Sequence, residues 1–327
     1  MRLGGQARFF AVAKSKDNIT ELWQWAGQNN QPVIVIGEGS NILWRDEGYD
    51  GLVVVNKIKG FEVEPVDETT ALFTIGAGED WDQVVERTVQ QGYSGIEQLS
   101  LIPGTTGATP VQNVGAYGRE IKEVLVSVEA LDTESGDFVT IAKEDCGFAY
   151  RDSRFKSRDR GRFFITSITL RLTTDDPEPP FYSSVQDYLE QHKITQPTAK
   201  DIRAAVVSVR TKKLPDPDEV ANNGSFFGNP IISHKQFSDL QDRYPEIVSW
   251  PAGHEQVKIS AAWLIEQAGF KDFHDPATGM ATWDKQPLVL INESAKSTAD
   301  ALAFRDKIVD SVEHHFGITL NQEPELI

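Results

Sequence analysis

The sequence predicts an α+β protein in two parts, and three observations carry that reading. Strand and helix signals alternate through the first 172 residues. An acidic, proline-rich stretch, TTDDPEPP (173–180), then reads as an exposed connector. Beyond it lie more amphipathic helices around an apolar strand, enough for a smaller α+β domain. The expected boundary therefore falls at 172/173, with residues 1–172 in one domain and 173–327 in the other.

The first half justifies itself element by element. Residues 17–28 (DNITELWQWAGQ) offer Asp17 or Asn18 as a cap and an apolar stripe through Leu22, Trp23 and Trp25/Ala26. VIVI (33–36) and LVVV (52–55) are β-branched runs bounded by turn residues, as buried strands are. ALFTI (71–75) gives another strand. Asp80 then caps a helix in which Trp81, Val84, Val85, Thr88 and Val89 recur at helical spacing. VEALDTESGDFVTI (128–141) reads as a hairpin turning at 134–136, and FFITSITLRL (163–172) as a strong strand.

In the second half, DIRAAVVSVR (201–210) sets Ile202, Ala205, Val206 and Val209 on one helical face. Residues 213–225 have no regular periodicity. ISAAWLIEQAGF (259–270) and 297–316 are further helices, the latter with Ser297 as cap and Asp300 three residues on. PLVLIN (287–292) is a buried strand between them.

Composition narrows the function. Over 327 residues, 32 Lys+Arg against 49 Asp+Glu leave a net charge of −17, which argues against a nucleic-acid-coating protein but allows one anionic ligand in a basic pocket. The 39% hydrophobic content is that of a packed globular chain. No apolar run approaches the ~20 residues that span a bilayer, and the N-terminus lacks the apolar core of a secretory signal, so a cytoplasmic protein without membrane insertion is expected. One cysteine, Cys146, rules out an intramolecular disulfide framework and cysteine-rich metal sites. The six histidines show no metal-ligand spacing, so no metal is expected.

Five segments could carry chemistry. VIGEGSNIL (35–43) runs a strand into two glycines, which lets backbone N–H groups approach a phosphate. Its sixth position is Ile42 rather than glycine, so a Rossmann fingerprint is incomplete, and strand-to-turn punctuation is the plainer reading. IPGTTGATPVQNVGAYG (102–118) holds four glycines and two prolines, too many for a regular helix or strand. Loops this long are usually functional, and its backbone donors with Gln112 and Asn113 suit a dinucleotide pyrophosphate. AYRDSRFKSRDR (149–160) gathers five basic residues in an acidic chain. Arg151 could clamp an anion with its planar fork, while Arg158 and Arg160 read as solvated. VRTKKLPDP (209–217) offers Arg210 and Lys213 near a helix end, and NNGSFFGNP (222–230) places Ser225 in a turn-like context. A hydrolase would need G-x-S-x-G, which is absent. QEPELI (322–327), with two carboxylates flanking Pro324, has the composition of a frayed tail.

Taken together and in this order, GEGSNIL, IPGTTGATPVQNVGAYG, FAYRDSRFK, VRTKKLPDP, GSFFGNP, KISAAWLIEQAG, LVLIN and EPELI resemble the UDP-N-acetylenolpyruvoylglucosamine reductases of bacterial wall synthesis, nearly end to end. The resemblance implies a two-lobed FAD-binding domain of the vanillyl-alcohol-oxidase (PCMH) type, with lobes of about 1–57 and 58–172, followed by a substrate domain. It implies that FAD is held by Gly37, Glu38, Gly39, Ser40, Asn41, Ile42 and Leu43, and by Pro103, Gly104, Gly107, Ala108, Thr109, Gln112, Asn113, Gly115, Ala116 and Tyr117. No histidine precedes His192, so a histidyl–flavin bond cannot form in the FAD half and non-covalent FAD is expected.

The chemistry so implied uses NADPH and the enolpyruvyl ether of UDP-N-acetylglucosamine in alternation in one cleft, with hydride passing through the flavin to the vinyl carbon. Ser225 matches the family's proton donor. Arg151 and Glu325 match residues at the substrate carboxylate, where arginine neutralises enolate charge and a protonated Glu325 donates a hydrogen bond. Tyr182, Lys213, Asn229 and Gln286 match contacts to the UDP diphosphate and its surroundings, with Arg210 and Tyr150 beside them. Tyr182 in FYSSVQDYL resembles the tyrosine loop of the longer family branch. A flavin oxidase of the same fold and a silent sugar-nucleotide binder are the rivals; flavin colour and reoxidation by oxygen alone separate them.

Overall fold

The computed structural model describes residues 1–253 and 255–327; His254, one of the six histidines, lies outside the described residues. Contacts divide the chain into two compact units. The larger comprises Ala7–Ser40 and Asp50–Lys212, and the smaller Met1–Gln6, Asn41–Tyr49 and Lys213–Ile327.

The larger unit begins with β1 (Ala7–Ala13), α1 (Lys16–Gln28) and β2 (Val33–Ile36). The cap of α1 is Ser15 rather than Asp17 or Asn18. Its extended backbone lets the hydroxyl accept from Asn18 N at 3.1 Å, so the helix starts two residues early. After β3 (Ile42–Leu43), which belongs to the smaller unit, β4 (Tyr49–Asn56) runs parallel to β2 in a sheet ordered β1-β4-β2. Ile19 and Ala26 of α1 pack against Leu52 and Val54 of β4. The strands β5 (Phe61–Pro65) and β6 (Thr70–Gly76) come next, then α2 (Trp81–Gln90), capped by Asp80 and burying the five residues its periodicity selects.

Short strands β7 (Gly115–Ala116) and β8 (Arg119–Glu120) pair with each other. The hairpin β9 (Leu125–Asp132) and β10 (Phe138–Ala142) turns through Gly136 at φ 79°, which closes on Asp132 O. With β11 (Phe163–Thr173) these strands form an antiparallel sheet ordered β10-β9-β11-β6-β5, and α2 covers it with Trp81, Val84 and Val85. The unit ends in α3 (Ser183–Gln191) and α4 (Ala199–Lys213), which pack through Val185, Leu189, Ile202, Ala205 and Val206.

The division at Lys212/Lys213 corrects the boundary expected at 172/173. Residues 173–180 do connect, but the chain beyond them returns to the same unit. Ala199 enters the core under the five-stranded sheet, and Arg203 pairs with Asp82 of α2 at 2.6 Å. Acid and proline content marks a surface segment, not the limit of a core.

The smaller unit holds a sheet ordered β12-β18-β17-β16, from β12 (Asn222–Ser225), β16 (His274–Asp275), β17 (Met280–Trp283) and β18 (Gln286–Asn292). A second sheet, β13-β15-β14, uses β13 (Ile231–Ser233), β14 (Ser249–Pro251) and β15 (Gln256–Ile259), with α5 (His234–Arg243) beside it. The helix expected over 259–270 is the shorter α6 (Ala261–Gln267), because Ile259 closes β15 and Ser260 caps. The long α7 (Thr298–Phe316) has the expected Ser297–Asp300 capping box. The last residues are not frayed: β19 (Glu325–Leu326) pairs parallel with β3. Phe226, Phe227, Leu264, Leu290, Phe304 and Ile308 centre the core, and Met1 and Leu43 join it. Among the described residues no helix is long and apolar enough to cross a membrane, and no cluster of His, Cys, Asp or Glu could hold a metal ion.

Candidate active site

In the larger unit, the two glycine-rich segments meet although they are far apart in sequence. Ser40 Oγ donates to Pro103 O at 3.1 Å. A Cβ on Gly37 would fall 2.2 Å from Thr105 Oγ1, so only glycine allows the two backbones this approach. Residues 105–109 coil into a 3-10 turn, closed by Ala108 N to Thr105 O and Thr109 N to Thr106 O. Gly39 lies in the left-handed region (φ 73°) and a Cβ there would meet nothing within 4 Å. The one acidic side chain of the first loop, Glu38, is offset by Lys57 at 3.5 Å. Abutting glycine loops, open space and a neutralised carboxylate fit the diphosphate of FAD.

Two residues of the expected FAD set are otherwise engaged. The buried Thr109 hydroxyl donates to Thr106 O at 2.7 Å, so its proton serves the turn. Asn113 is fully buried at φ 46°; its amide donates to Glu120 Oε2 and to Ala149 O, both at 3.0 Å, and accepts from Lys122 N. That side chain braces the loop against the 149–153 segment. Ser153, also buried, donates to Val111 O at 2.6 Å and completes the brace.

The brace presents Arg151. Its backbone is left-handed (φ 55°), its Nη2 donates to Gly115 O at 2.7 Å, and its guanidinium carbon lies 5.2 Å from the Tyr150 ring centre. A Cβ on Gly115 would come 3.0 Å from Arg151 Nη1. Asn113, Tyr117 and Arg151 are all non-glycine residues at positive φ, the kind of local strain that functional sites retain.

Beyond Tyr117 lies a cleft of about 590 Å³ lined by Gln98, Tyr117, Arg119, Phe181, Tyr182 and Val185 among others. Tyr182, half exposed, meets Tyr117 edge to face at 5.5 Å. Burial pushes the Tyr117 phenol up, while Arg210 pulls it down. Burial likewise pushes the Arg210 guanidinium below its ordinary value, against the pull of Tyr117 and Asp82. Gln98 Oε1 and Arg210 Nε are buried without a hydrogen-bond partner among the described residues, which is costly unless a ligand supplies one.

In the smaller unit, Ser225 ends β12, exposed, with Phe226 and Phe227 buried beyond it. The chain after Ser225 runs antiparallel to the C-terminal segment. Gly228 N donates to Asn321 O, Glu323 N donates to Phe226 O, and Phe227 bridges Gln322. Continuing that register sets Ser225 across from Pro324, one residue from Glu325. Glu325 pairs with Ile42, and its N–H donates to Asn41 O at 2.9 Å. Asn223 Nδ2 donates to Ile42 O. So Asn41, Ile42, Ser225 and Glu325 share one patch of the unit. Lys213 and Gln286 are also neighbours, through Trp283: its Nε1 donates to Lys213 O, and it pairs with Gln286 across β17 and β18. Asn229 Oδ1 accepts from Ala261 N and so caps the start of α6.

Sequence reasoning did not find Asp82, Leu101, Arg203 or Gln98. Asp82 and Arg203 are 121 positions apart, and each alone reads as an ordinary charge on a helix surface.

Residues 7–142 match the model for an FAD binding domain, and residues 216–327 the model for the UDP-N-acetylenolpyruvoylglucosamine reductase C-terminal domain. The UDP-N-acetylenolpyruvoylglucosamine reductase of Ralstonia nicotianae is 40% identical over 100% of this chain and 95% of that one. Its namesake in Pseudomonas syringae pv. tomato is 38% identical over 98% and 94%. The crystal structure of the UDP-N-acetylenolpyruvylglucosamine reductase of Thermus caldophilus superposes with a TM-score of 0.65 at 21% identity, covering 96% of this chain and 90% of that one. Fold and site thus define an FAD-binding oxidoreductase of the vanillyl-alcohol-oxidase type carrying a further C-terminal domain. Within that class the chain belongs to the UDP-N-acetylenolpyruvoylglucosamine reductase family.

Proposed function

We propose that this protein reduces the enolpyruvyl ether of UDP-N-acetylglucosamine to UDP-N-acetylmuramate at the expense of NADPH. When bound, FAD supplies a two-electron carrier that accepts hydride from NADPH and passes it to the terminal vinyl carbon. Residues of the two glycine loops, Gly37–Ser40 and Pro103–Thr109, hold its diphosphate with Tyr117 at the end of the second loop, and Tyr150, Tyr182, Arg210, Lys213, Asn229 and Gln286 receive the nucleotides in turn. Charge then develops on the carbon next to the carboxylate as an enolate. The Arg151 guanidinium offsets it electrostatically, and the Glu325 carboxyl donates to the substrate carboxylate. Ser225 Oγ gives its proton to that carbon, drawn by the growing negative charge.

The observation that supports this reading best is the antiparallel run of the chain after Ser225 against residues 321–323, which brings the Ser225 backbone close in register to that of Glu325 within one unit. The cofactor is held without a covalent link. Cys146, the one cysteine, is fully buried, and burial pushes its thiol up to about 12, far from a reactive thiolate. Acid precipitation should therefore release all the flavin to the supernatant.

The direct test is an anaerobic flavin titration. NADPH should bleach the yellow band, and the enolpyruvyl substrate should restore it. A flavin that bleaches but ignores that substrate would overturn the proposal. A Glu325→Gln variant with an unchanged reoxidation rate would remove the donor role assigned to Glu325.

A further inference from the structure

We infer that Asp82 and Arg203 are positioning residues, which hold the Pro103–Thr109 loop in its flavin-binding shape by clamping Leu101. The inference rests on the proposal that this loop carries the FAD diphosphate. Leu101 is the residue from which the loop departs, and its backbone is left-handed at φ 55°. A leucine avoids that region because its Cβ crowds the following carbonyl, so the surroundings must enforce it.

They do so from both sides. The Leu101 N–H donates to Asp82 Oδ1 at 2.6 Å, and its carbonyl accepts from Arg210 Nη2 at 3.1 Å. Asp82 is itself fixed by a two-pronged bond from Arg203, Nη1 to Oδ1 at 2.6 Å and Nη2 to Oδ2 at 3.0 Å. Arg203 and Arg210 stand seven residues apart on α4, two turns and therefore on one face. The same stretch of chain around the start of α2 grips the loop further on: Trp81 N donates to Gly104 O at 3.0 Å, and Thr106 N donates to Glu79 O at 2.9 Å. Asp82 is the outermost rung of that ladder, and it relies on a side chain from α4. No step of the proposed reaction uses Asp82 or Arg203. Their chemistry is spent on one backbone angle, three residues before Gly104.

The test measures FAD affinity of the full chain after flavin removal, by quenching of FAD fluorescence on rebinding. Arg203→Gln should weaken FAD binding by about tenfold or more, and Arg203→Lys, which keeps charge but not the fork, by less. Adding Leu101→Gly to Arg203→Gln should bring affinity back to within about threefold of the wild type, because glycine takes φ near +55° without a clamp. Thermal unfolding of each variant is read alongside. If Arg203→Gln binds FAD as well as the wild type, or if Leu101→Gly gives no rescue while Arg203→Gln still melts cooperatively, the inference is overturned. A control separates it from the reading beneath it. Ala108→Glu puts a negative charge on an exposed loop position, and FAD binding unaffected by it would sink the diphosphate assignment itself, and the clamp's role with it.

Discussion

Ser225 illustrates what a single residue discloses and what it conceals. It sits at an exposed strand end with two buried phenylalanines behind it, an anchoring that fixes a hydroxyl in space without burying it. Ser225→Ala keeps that anchoring and removes only the proton. Stopped-flow absorbance should show flavin reduction by NADPH unchanged, while reoxidation by the enolpyruvyl substrate slows by ~10²–10⁴-fold, the usual worth of a general acid. Slowing of both half-reactions would assign Ser225 to binding instead. From composition, a serine in a glycine- and asparagine-rich loop is a turn residue, and only its place among the other family motifs marks it out. Asn113 shows how the structure adds a role that the sequence does not disclose. The resemblance puts it against FAD, but its amide is consumed by Glu120, Ala149 and Lys122. Asn113→Ala should therefore cost about 1–3 kcal/mol of stability in denaturant unfolding, because it removes the three hydrogen bonds of a fully buried amide, and should raise the substrate KM by loosening the segment that bears Arg151.

At the scale of elements, what the sequence discloses depends on whether the signal is local. Asp80 and the five buried residues of α2 lie within ten positions, and the helix forms where they place it. The start of α1 is displaced by two residues because Ser, Asp and Asn near positions 15–18 are all competent caps. The pairing of α2 with α4 through Asp82 and Arg203 has no local signal. Burial alone would raise the Asp82 carboxyl, but hydrogen bonds from Arg203 and Leu101 N–H, with the charges of Arg203 and Arg210, outweigh it and hold the group below its ordinary value. Protons then bind the unfolded chain more tightly than the folded one. The resulting stability is present above the ordinary aspartate range, near ~4, and is lost as pH falls through the depressed folded value. Wild-type melting should drop more steeply on acidification than that of Asp82→Asn, which should already be about 1–3 kcal/mol less stable at neutral pH. Parallel acid limbs for the two proteins would show that the pair contributes nothing through this titration.

At the scale of the whole molecule, the chain passes between its two units four times, and this decides what can fold alone. Residues 213–327 read as a self-sufficient second domain, since they carry three helices, eight of the nine strands of their unit and the matched C-terminal family segment. Their unit nevertheless draws on distant chain. Leu43 and Met1 lie in its core, β3 pairs with β19, and Asn292 Nδ2 donates to Met1 O. The N-terminus of α7 is held from outside the fragment as well: Asp46 accepts from Thr298 N at 2.6 Å and from Ala299 N at 3.0 Å, and the Thr298 hydroxyl donates to Trp44 O. Sequence reading is linear and keeps residues 41–49 with the rest of 1–172, whereas their contacts lie with Lys213–Ile327. Expressed alone, 213–327 should lose these caps, the β19 pairing and a buried leucine, together several kcal/mol in a body whose net stability is of order 5–15 kcal/mol. It should then show helical far-UV circular dichroism with weak near-UV signal and non-cooperative melting, the marks of lost side-chain packing. Adding a peptide spanning 38–50 in excess should sharpen the near-UV signal, because it restores the Glu325–Ile42 pairing and the Asp46 cap without any other part of the chain. A fragment that melts cooperatively without the peptide would show that the core of residues 213–327 closes by itself, and that the excursion through 41–49 serves only to bring Asn41 and Ile42 beside Glu325.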